Sequence, residues 1–262
     1  MIRLLFVLLF AASLSAQTVS FTDPTGDDDG PGTYVYPTDR VYGRGSFDLT
    51  GFTLKNNGTK TEVTASVNAT LADEWSTGVG FSTQMIFVFI DKDGKAGSGH
   101  VDGLPGLNIR FAPESAWEKV VVLSPLAPAR VKAEVEQKAA SVKGDVIVPA
   151  RTRGAGRTIS ATFDAAALGE GDPTTWSYQV IVQSSEGFPS GSDLLTRKVN
   201  EYEGQHRFGG GHDDECDPHV LDLLAGSATG AKEEIALQHQ MLSAYQCDEG
   251  TALAVVSNVR AK

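Results

Sequence analysis

The segment 61-TEVTASVNATL-71 decides the fold class, because apolar and polar residues alternate along its whole length. Val63, Ala65 and Val67 occupy every second position, the pattern continues through Ala69 and Leu71, and the positions between them are mostly polar. A period of two is typical of a β-strand that is buried on one face. The segment therefore predicts a half-buried strand, which needs a second layer of structure to cover it.

Strand patterns recur on both sides of this segment. Residues 85–90 are continuously apolar and predict a central strand, and the broken alternation of residues 47–54 predicts a β-bulge at Thr50 and Gly51. Further strands are predicted at residues 119–123, 131–138, 142–148, 158–163, 176–183 and 251–259, with the second and third of these forming a hairpin. One helix is predicted at residues 231–245, with Thr229 as its N-cap.

Strands at this spacing predict an all-β fold, an antiparallel β-sandwich of immunoglobulin-like or jelly-roll type with one short C-terminal helix. Residues 1–16 have the order of a secretory signal peptide: Arg3, an apolar run over 4–12 and small residues before Ala16. The apolar run is shorter than the roughly 20 residues that span a bilayer, although an uncleaved anchor is the alternative. We expect residues 17–262 to form one secreted, periplasmic or cell-surface domain without a transmembrane segment.

Charge and motif content restrict the function. With 22 basic and 33 acidic residues the net charge is −11, which argues against nucleic acid as a partner. The chain has no Gly-x-Ser-x-Gly, His-Glu-x-x-His or Gly-x-x-x-x-Gly-Lys motif. We therefore expect a protein that is not an enzyme. A glycoside hydrolase stays open as an alternative, since paired catalytic carboxylates are recognised by geometry and not by spacing.

The two cysteines, Cys216 and Cys247, predict a disulfide, because export favours oxidation. The alternatives are two free thiols or a metal site that includes His212 and His219. The spacing of those residues matches no common zinc pattern.

The segment 23-DPTGDDDGPGTYVYP-37 carries four aspartates within seven residues in a glycine-rich loop. Calcium is bound by six to eight oxygen atoms from carboxylates, carbonyls and water, so we expect a calcium site formed by Asp23, Asp27 and Asp28 together with Asp48. The alternative is a solvated turn, since Asp and Gly are ordinary turn residues.

Two further acidic loops are candidates for cation binding. In 209-GGGHDDECDPH-219, Asp213 and Asp214 could contribute to the first site or form a second one. The segment 91-DKDGKAGSG-99 begins like an EF-hand loop but lacks the later ligands, so we interpret it as a connecting loop. Among the aromatic residues, we expect Trp75 and Trp117 to bind ligand by stacking on sugar rings. Core packing is the alternative for both, and strand periodicity places Trp176 in the core.

The segments 23-DPTGDD-28 and 30-GPGTYVYPT-38 together resemble the opening of the C-terminal domain of glucodextranases, which also occurs in some bacterial amylopullulanases. Later segments of that domain are matched by 45-GSFDL-49, 104-LPGLN-108, 209-GGGHDD-214 and 218-PHVLD-222. The resemblance implies a β-sandwich related to DOMON-like and carbohydrate-binding modules, which help to attach enzymes to the cell surface or to polysaccharide.

From this resemblance we expect an exported, non-catalytic module that binds cell-surface or extracellular polysaccharide, in particular α-glucan, with loops ordered by calcium. A separate glycan-active enzyme is a further expected partner, because this chain carries no catalytic domain beside the module. The alternative is a structural envelope protein that contacts other proteins.

Overall fold

A computed structural model describes residues 16–189, 191–213, 216–226, 230–247 and 251–261. The predicted signal peptide, apart from Ala16, lies outside the described residues, as do Asp214 and Thr229. The strands are β1 (Gln17–Thr22), β2 (Leu49–Asn56), β3 (Lys60–Val67), β4 (Gln84–Asp91), β5 (Ile109–Phe111), β6 (Lys119–Leu123), β7 (Val146–Ile147), β8 (Thr152–Ala155), β9 (Thr158–Asp164), β10 (Ser177–Ser184), β11 (Asp222–Leu223), β12 (Ala254–Val256) and β13 (Val259–Arg260). The α-helices are α1 (Pro128–Lys138) and α2 (Ala231–Ser243).

Two main sheets form the sandwich, and most of their strand pairs are antiparallel. The first sheet has the order β1-β2-β3-β9-β8. The second has the order β11-β10-β4-β6-β7, with β13 also pairing with β10. The pairs β6–β7 and β5–β12 are parallel. The all-β sandwich expected from the sequence is therefore confirmed.

The second sheet is covered on both faces, and strand β4 shows why. Ile86, Val88 and Ile90 point into the core between the two sheets, whereas Phe87 and Phe89 point into a second apolar layer. That outer layer includes residues of α1, α2, β5 and β12. A strand that is buried on both faces must be apolar throughout, which explains the unbroken run at residues 85–90.

Several predicted details are confirmed. The register between β2 and β3 shifts between Leu49 and Gly51, as expected for the bulge. In β3, Val63 and Val67 are buried while Glu62 is exposed, so the predicted alternation holds as far as Val67, where the strand ends four residues before Leu71. Trp176 packs in the core between the sheets.

The predicted hairpin at residues 131–148 is wrong, because its first half is the helix α1. Pro128 stands in the first turn, where a missing N–H costs nothing. Val131 and Val135 are the buried residues of this helix, one turn apart, and Lys138 pairs with Glu134 at 2.8 Å. The fold therefore has two α-helices among the described residues where the sequence predicted one. The predicted last strand is also divided, into β12 and β13.

Candidate functional site

The acidic loop that follows β1 is held against the segment leading into β11. The backbone N–H of Gly30 donates to the carbonyl of Leu221 at 2.9 Å. A Cβ at position 30 would lie 2.8 Å from the carbonyl oxygen of Val220, and φ there is +60°, so glycine is required. This close approach brings the aspartates of the loop to Asp222, the first residue of β11.

Asp23, Asp27 and Asp222 form a compact group, which we call the carboxylate cluster. One carboxylate oxygen of each lies within 4.8 Å of the other two. Asp27 is only 1% exposed and Asp222 is completely buried. Asp222 accepts hydrogen bonds from the backbone N–H groups of Leu49 at 2.6 Å and Leu223 at 2.7 Å. All four carboxylate oxygens of Asp23 and Asp27 are buried, and they accept no hydrogen bond from any described residue.

Burial is the main reason that the pKa of each carboxyl in the cluster is raised. The pKa of Asp27 rises to about 7, with repulsion from Asp48 adding to the effect of burial. Repulsion from Asp27 and from Glu234 further raises the pKa of Asp23, and repulsion from Asp23 further raises that of Asp222. Such a group must either take up protons or bind a cation, because buried unpaired charge is costly. A donor set made only of oxygen atoms suits calcium, whereas zinc sites normally include nitrogen or sulfur.

Asp48, which directly precedes β2, lies beside the cluster. Its Oδ2 accepts hydrogen bonds from the backbone N–H of Gly26 at 2.9 Å and from the Nδ2 of Asn68 at 3.0 Å. Its Oδ1 is buried and has no hydrogen-bond donor among the described residues. Burial raises the pKa of this carboxyl as well, and repulsion from Asp48 raises the pKa of Asp27. Asp48 is therefore a candidate for a further ligand, although its oxygens lie outside the group that meets within 4.8 Å.

The remaining predicted ligands are placed differently. Asp28 belongs to the acidic loop, but its Oδ2 accepts a hydrogen bond from the hydroxyl of Tyr36. Asp213 is exposed, and its Oδ1 accepts a hydrogen bond from the backbone N–H of Glu201 at 3.2 Å. Neither residue joins the group of oxygens that meets within 4.8 Å. Asp214 lies outside the described residues. The predicted six-aspartate set is thus reduced to Asp23, Asp27 and Asp48, to which the fold adds Asp222.

Helix α2 crosses the acidic loop and fixes it through polar side chains. Gln238 is completely buried, and its Nε2 donates to the carbonyl of Asp27. Its Oε1 accepts from the backbone N–H of Leu223 at 3.0 Å. His239, on the next position, contacts Asp29 at 3.0 Å. The helix therefore ties the loop to β11, the two segments that supply the cluster.

The predicted disulfide between Cys216 and Cys247 is confirmed, with 5.2 Å between the Cα atoms. It joins the loop before β11 to the segment after α2. His212 lies near both sulfur atoms, but these are bonded to each other and cannot serve as thiolate ligands. The structure therefore gives no support to the zinc alternative at these residues.

The loop at residues 91–99 has the internal bonding of a turn. Asp91 accepts hydrogen bonds from the backbone N–H groups of Asp93 at 3.1 Å and Gly94 at 2.7 Å, and from the hydroxyl of Ser177 at 2.9 Å. Asp91, Asp93 and Glu118 do bring their oxygens within 4.8 Å. However, Asp93 is exposed, and the hydrogen bonds account for the position of Asp91. The loop thus connects β4 to the following segment as a hydrogen-bonded turn, and its three carboxylates form a second group of oxygens that could hold a metal ion.

The two tryptophans predicted to stack on a ligand differ in exposure. Trp75 is 40% exposed and packs edge-on against Tyr42, with 6.2 Å between ring centroids. Trp117 is 1% exposed, and its Nε1 donates to the carbonyl of Asp102 at 3.0 Å. The expectation for Trp117 is wrong, because its ring packs against Phe89 in the outer apolar layer. Only Trp75 of this pair presents a ring to solvent.

Asp222 is the residue of the cluster that sequence reasoning missed. Its signal was present in 220-VLDLL-224, where a single aspartate interrupts an apolar run. A charged residue within an apolar run is expected to be buried, and a buried charge needs a compensating partner. Asp222 is therefore a candidate metal ligand on sequence grounds. Gln238 could not be recognised in this way, because a glutamine in an amphipathic helix normally faces water.

A family model describing the C-terminal, SLH-like binding module of glucodextranase matches residues 18–257. The match extends from β1 to the end of β12 and thus includes the carboxylate cluster, Trp75 and both cysteines. No curated protein matches the chain.

Proposed function

The chain belongs to the family of the C-terminal, SLH-like binding modules of glucodextranase, and from this premise we propose that it binds neutral polysaccharide at the cell surface or outside the cell without cleaving it. The polysaccharide is an α-glucan, and a calcium ion in the carboxylate cluster orders the loops. The observation that carries the calcium part is the burial of four carboxylate oxygens of Asp23 and Asp27 without hydrogen-bond donors among the described residues.

The exposed ring of Trp75 supports sugar binding. Flat aromatic rings stack on apolar faces of ligands, and the gain for a nucleic-acid base is about 1–3 kcal/mol per ring. The backbone N–H of Trp75 donates to the hydroxyl of Ser82 at 3.1 Å, and that hydroxyl donates to Asp73 at 2.7 Å. Slight burial raises the pKa of Asp73, but hydrogen bonds from Ser82, Thr77 and Gly78 outweigh it and lower the pKa to about 2. The loop that carries Trp75 is thus fixed at neutral pH.

The position of Asp27 argues for binding and against hydrolysis. A pKa of about 7 would suit a general acid of a glycoside hydrolase. A catalytic acid must also reach the glycosidic oxygen within hydrogen-bond distance. Asp27 is 1% exposed and its carboxylate lies close to two other carboxylates, which supports cation binding over contact with a substrate.

Export is supported by the sequence of residues 1–16, with its charged, apolar and small-residue order. The first strand begins at Gln17, directly after the expected cleavage point. Among the described residues, no helix has both the length and the apolar character needed to span a bilayer. The match to a binding module of glucodextranase likewise supports a location at the cell surface or outside the cell.

Affinity electrophoresis in gels that contain a soluble α-glucan tests the proposal. We expect retardation of the wild-type protein in calcium and no reducing sugar after prolonged incubation. Trp75→Ala should lose about tenfold or more in affinity if the ring stacks on a sugar.

Phe188→Ala is the matched control for the tryptophan, because Phe188 is also an exposed aromatic residue, at 89% exposure. Its retardation should equal that of the wild type. Absence of retardation by several α-glucans would favour the structural envelope protein instead, and release of reducing ends would identify an enzyme.

A further inference from the structure

A surface cavity of about 640 Å³ lies directly beside the carboxylate cluster. Its charged walls are Asp28, Asp29, Asp48 and Arg44. Asp48 is the residue that the cavity shares with the surroundings of the cluster. Asp48 is 2% exposed, and its Oδ1 lacks a hydrogen-bond donor among the described residues.

The cavity wall is arranged around this carboxylate. Gly26 and Asn68, which also line the cavity, both donate to the Oδ2 of Asp48. At Gly26, φ is +91°, a value that glycine adopts without strain. The loop and the segment after β3 therefore meet at Asp48, and the wall is held by side chains that are fixed on the fold.

Arg44 is exposed at the rim of the cavity and makes no hydrogen bond or ion pair with any described residue. It stands in the turn before β2, where the backbone N–H of Ser46 donates to the carbonyl of Gly43 at 3.1 Å. A guanidinium that is not engaged with the protein can donate to ligand oxygens. Its five N–H groups form a planar fork, which suits two adjacent acceptor oxygens.

The polar groups of the cavity match the hydroxyl groups of a sugar. A hydroxyl both donates and accepts, so adjacent hydroxyls can donate to carboxylates of Asp28 or Asp29 and accept from Arg44. Hydrogen bonds to charged groups are stronger than those between neutral groups. Tyr36 and Val35 add apolar surface, and Val35 is 47% exposed. Small-ligand sites combine apolar walls with a few polar groups in this way.

Charge decides which class of sugar fits. Three carboxylates line the cavity against one guanidinium, and the whole chain carries a net charge of −11. A uronic acid, a sulfate or a phosphate on the glycan would meet like charge, which opposes both approach and docking. A neutral sugar residue donates hydroxyls to the same carboxylates without that repulsion.

Ring contacts connect this cavity to Trp75. Tyr42 lies 6.2 Å from Trp75 and 6.4 Å from Phe47, and Phe47 lies 5.5 Å from Tyr36 in the cavity wall, measured between ring centroids. These ring contacts make Tyr36 of the cavity wall and Trp75 members of one aromatic cluster.

We propose that the cavity formed by Asp28, Asp29, Arg44, Asp48 and Asn68 is the polar subsite of the module and that it accepts neutral sugar residues only. This assignment rests on the proposed function, since it specifies where the glycan binds and of which class it is.

The test compares Arg44→Ala with Arg151→Ala. Arg151 is also exposed and makes no side-chain hydrogen bond or ion pair among the described residues, so it is a matched control. The probes are dextran and soluble starch as neutral glucans and polygalacturonate as an anionic glycan, in affinity gels with millimolar calcium. We expect Arg44→Ala to bind the neutral glucans about tenfold or more weakly, Arg151→Ala to bind like the wild type, and polygalacturonate to retard none of them.

Melting curves of both variants should match the wild type, because neither exposed side chain makes a hydrogen bond or ion pair with the described residues. If the wild type binds a neutral glucan and the two arginine variants bind equally well, the cavity assignment is wrong while the proposed function stands. Retardation by polygalacturonate would overturn the restriction to neutral sugars. If the wild type binds none of these glycans, both proposals fail. Arg44→Glu is the second variant, and it should weaken binding of the neutral glucans at least as much as Arg44→Ala.

Discussion

Asp27 and Asp222 are buried carboxyl groups that come from opposite ends of the chain. They meet because Gly30 allows the acidic loop to lie against the backbone that leads into β11. The negative charge of Asp222 is partly compensated by two backbone N–H groups that donate to it. The carboxylate of Asp27, in contrast, accepts no hydrogen bond from a described residue. A bound cation would supply the missing compensation for Asp27.

The first prediction concerns calcium and these two residues. Calcium at a hundredfold excess over Kd stabilises a folded protein by about 2.7 kcal/mol, which corresponds to a rise of about 5–10 °C in Tm for a domain of this size. We expect the wild type to show this rise in differential scanning fluorimetry. Asp27→Asn with Asp222→Asn should show none, because two ionic ligands are removed.

In the metal-free form, relief of repulsion within the cluster is offset because Asp222→Asn leaves the backbone N–H of Leu49 or Leu223 without its acceptor, so the calcium response is measured within each variant, as the difference between its own Tm values in calcium and in chelator. Asp93→Asn, in the hydrogen-bonded turn at residues 91–99, is the control and should keep the full calcium response. A response that survives in the double variant would place the calcium site elsewhere.

The second prediction concerns pH. The pKa values of Asp23, Asp27, Asp48 and Asp222 are raised in the folded protein, chiefly by burial. Groups with raised folded pKa values stabilise the fold below their unfolded pKa, near 4, and this stability is lost as the pH rises through the folded pKa, about 7 for Asp27. The chelated protein should therefore lose stability between about pH 4 and pH 7.

Calcium should remove most of this loss, because it favours the ionised carboxylates. Urea unfolding at several pH values, with calcium or with chelator, measures the difference. Identical pH profiles under the two conditions would contradict the assignment of the cluster as the cation site.

At the level of elements, α2 and the disulfide determine how the loops meet. Gln238 connects the carbonyl of Asp27 to the backbone N–H of Leu223, and the Cys216–Cys247 bridge joins the flanking segments. The cysteine pairing could be predicted, since an even count in an exported chain favours a disulfide. The role of α2 could not, because its contacts are with residues about 15 and 211 positions away.

The third prediction is that Gln238→Ala destabilises the protein by about 2 kcal/mol or more and lowers calcium affinity. Truncation leaves the Asp27 carbonyl buried without its donor, which costs about 1–3 kcal/mol, and it leaves the Leu223 N–H with Asp222 as its remaining acceptor. Urea unfolding and calcium titration measure the two effects. Gln240→Ala, at an exposed position of the same helix, should change neither. Equal behaviour of the two variants would show that α2 does not hold the loop.

The wrong prediction of a strand at residues 131–138, where the structure has α1, has a cause in the local sequence. Residues 131–138 contain valines at positions 131 and 135, and this spacing fits both a strand face and one helical turn. Pro128 in the first turn and the ion pair between Lys138 and Glu134 favour the helix. Both valines of the helix pack into the outer apolar layer of the second sheet, which stabilises the helix over a strand. This layer forms only in the folded protein and could not be inferred from the local sequence.

At the scale of the whole molecule, alternation predicts β3 well, because a half-buried strand must alternate. The unbroken apolar run of β4 predicts burial, but it does not say what covers the second face. The candidate cation site is likewise only partly predictable from the sequence. The dense aspartates of the acidic loop are visible in the sequence, whereas the contribution of Asp222 depends on how β11 is placed. Trp117 shows the limit of predicting ligand-binding residues from the sequence, since residue type alone does not distinguish an exposed ring from a buried one.

Calcium and glycan should bind cooperatively, because Asp48 lies beside the carboxylate cluster and also lines the cavity with Arg44. Calcium beside Asp48 favours the ionised carboxylate, which accepts stronger hydrogen bonds from sugar hydroxyls, and such coupling acts equally in both directions.

Isothermal titration of a soluble neutral α-glucan into the wild-type protein, once in millimolar calcium and once in chelator, tests the calcium-dependent binding of polysaccharide most directly. In calcium we expect saturable binding with a Kd between micromolar and millimolar, about −8 to −4 kcal/mol, and no reducing ends in the recovered glucan. In chelator we expect the affinity to be about tenfold lower or worse. Binding of equal strength under the two conditions would contradict the role given to calcium, and absence of binding in calcium to any neutral α-glucan would contradict the proposed function itself.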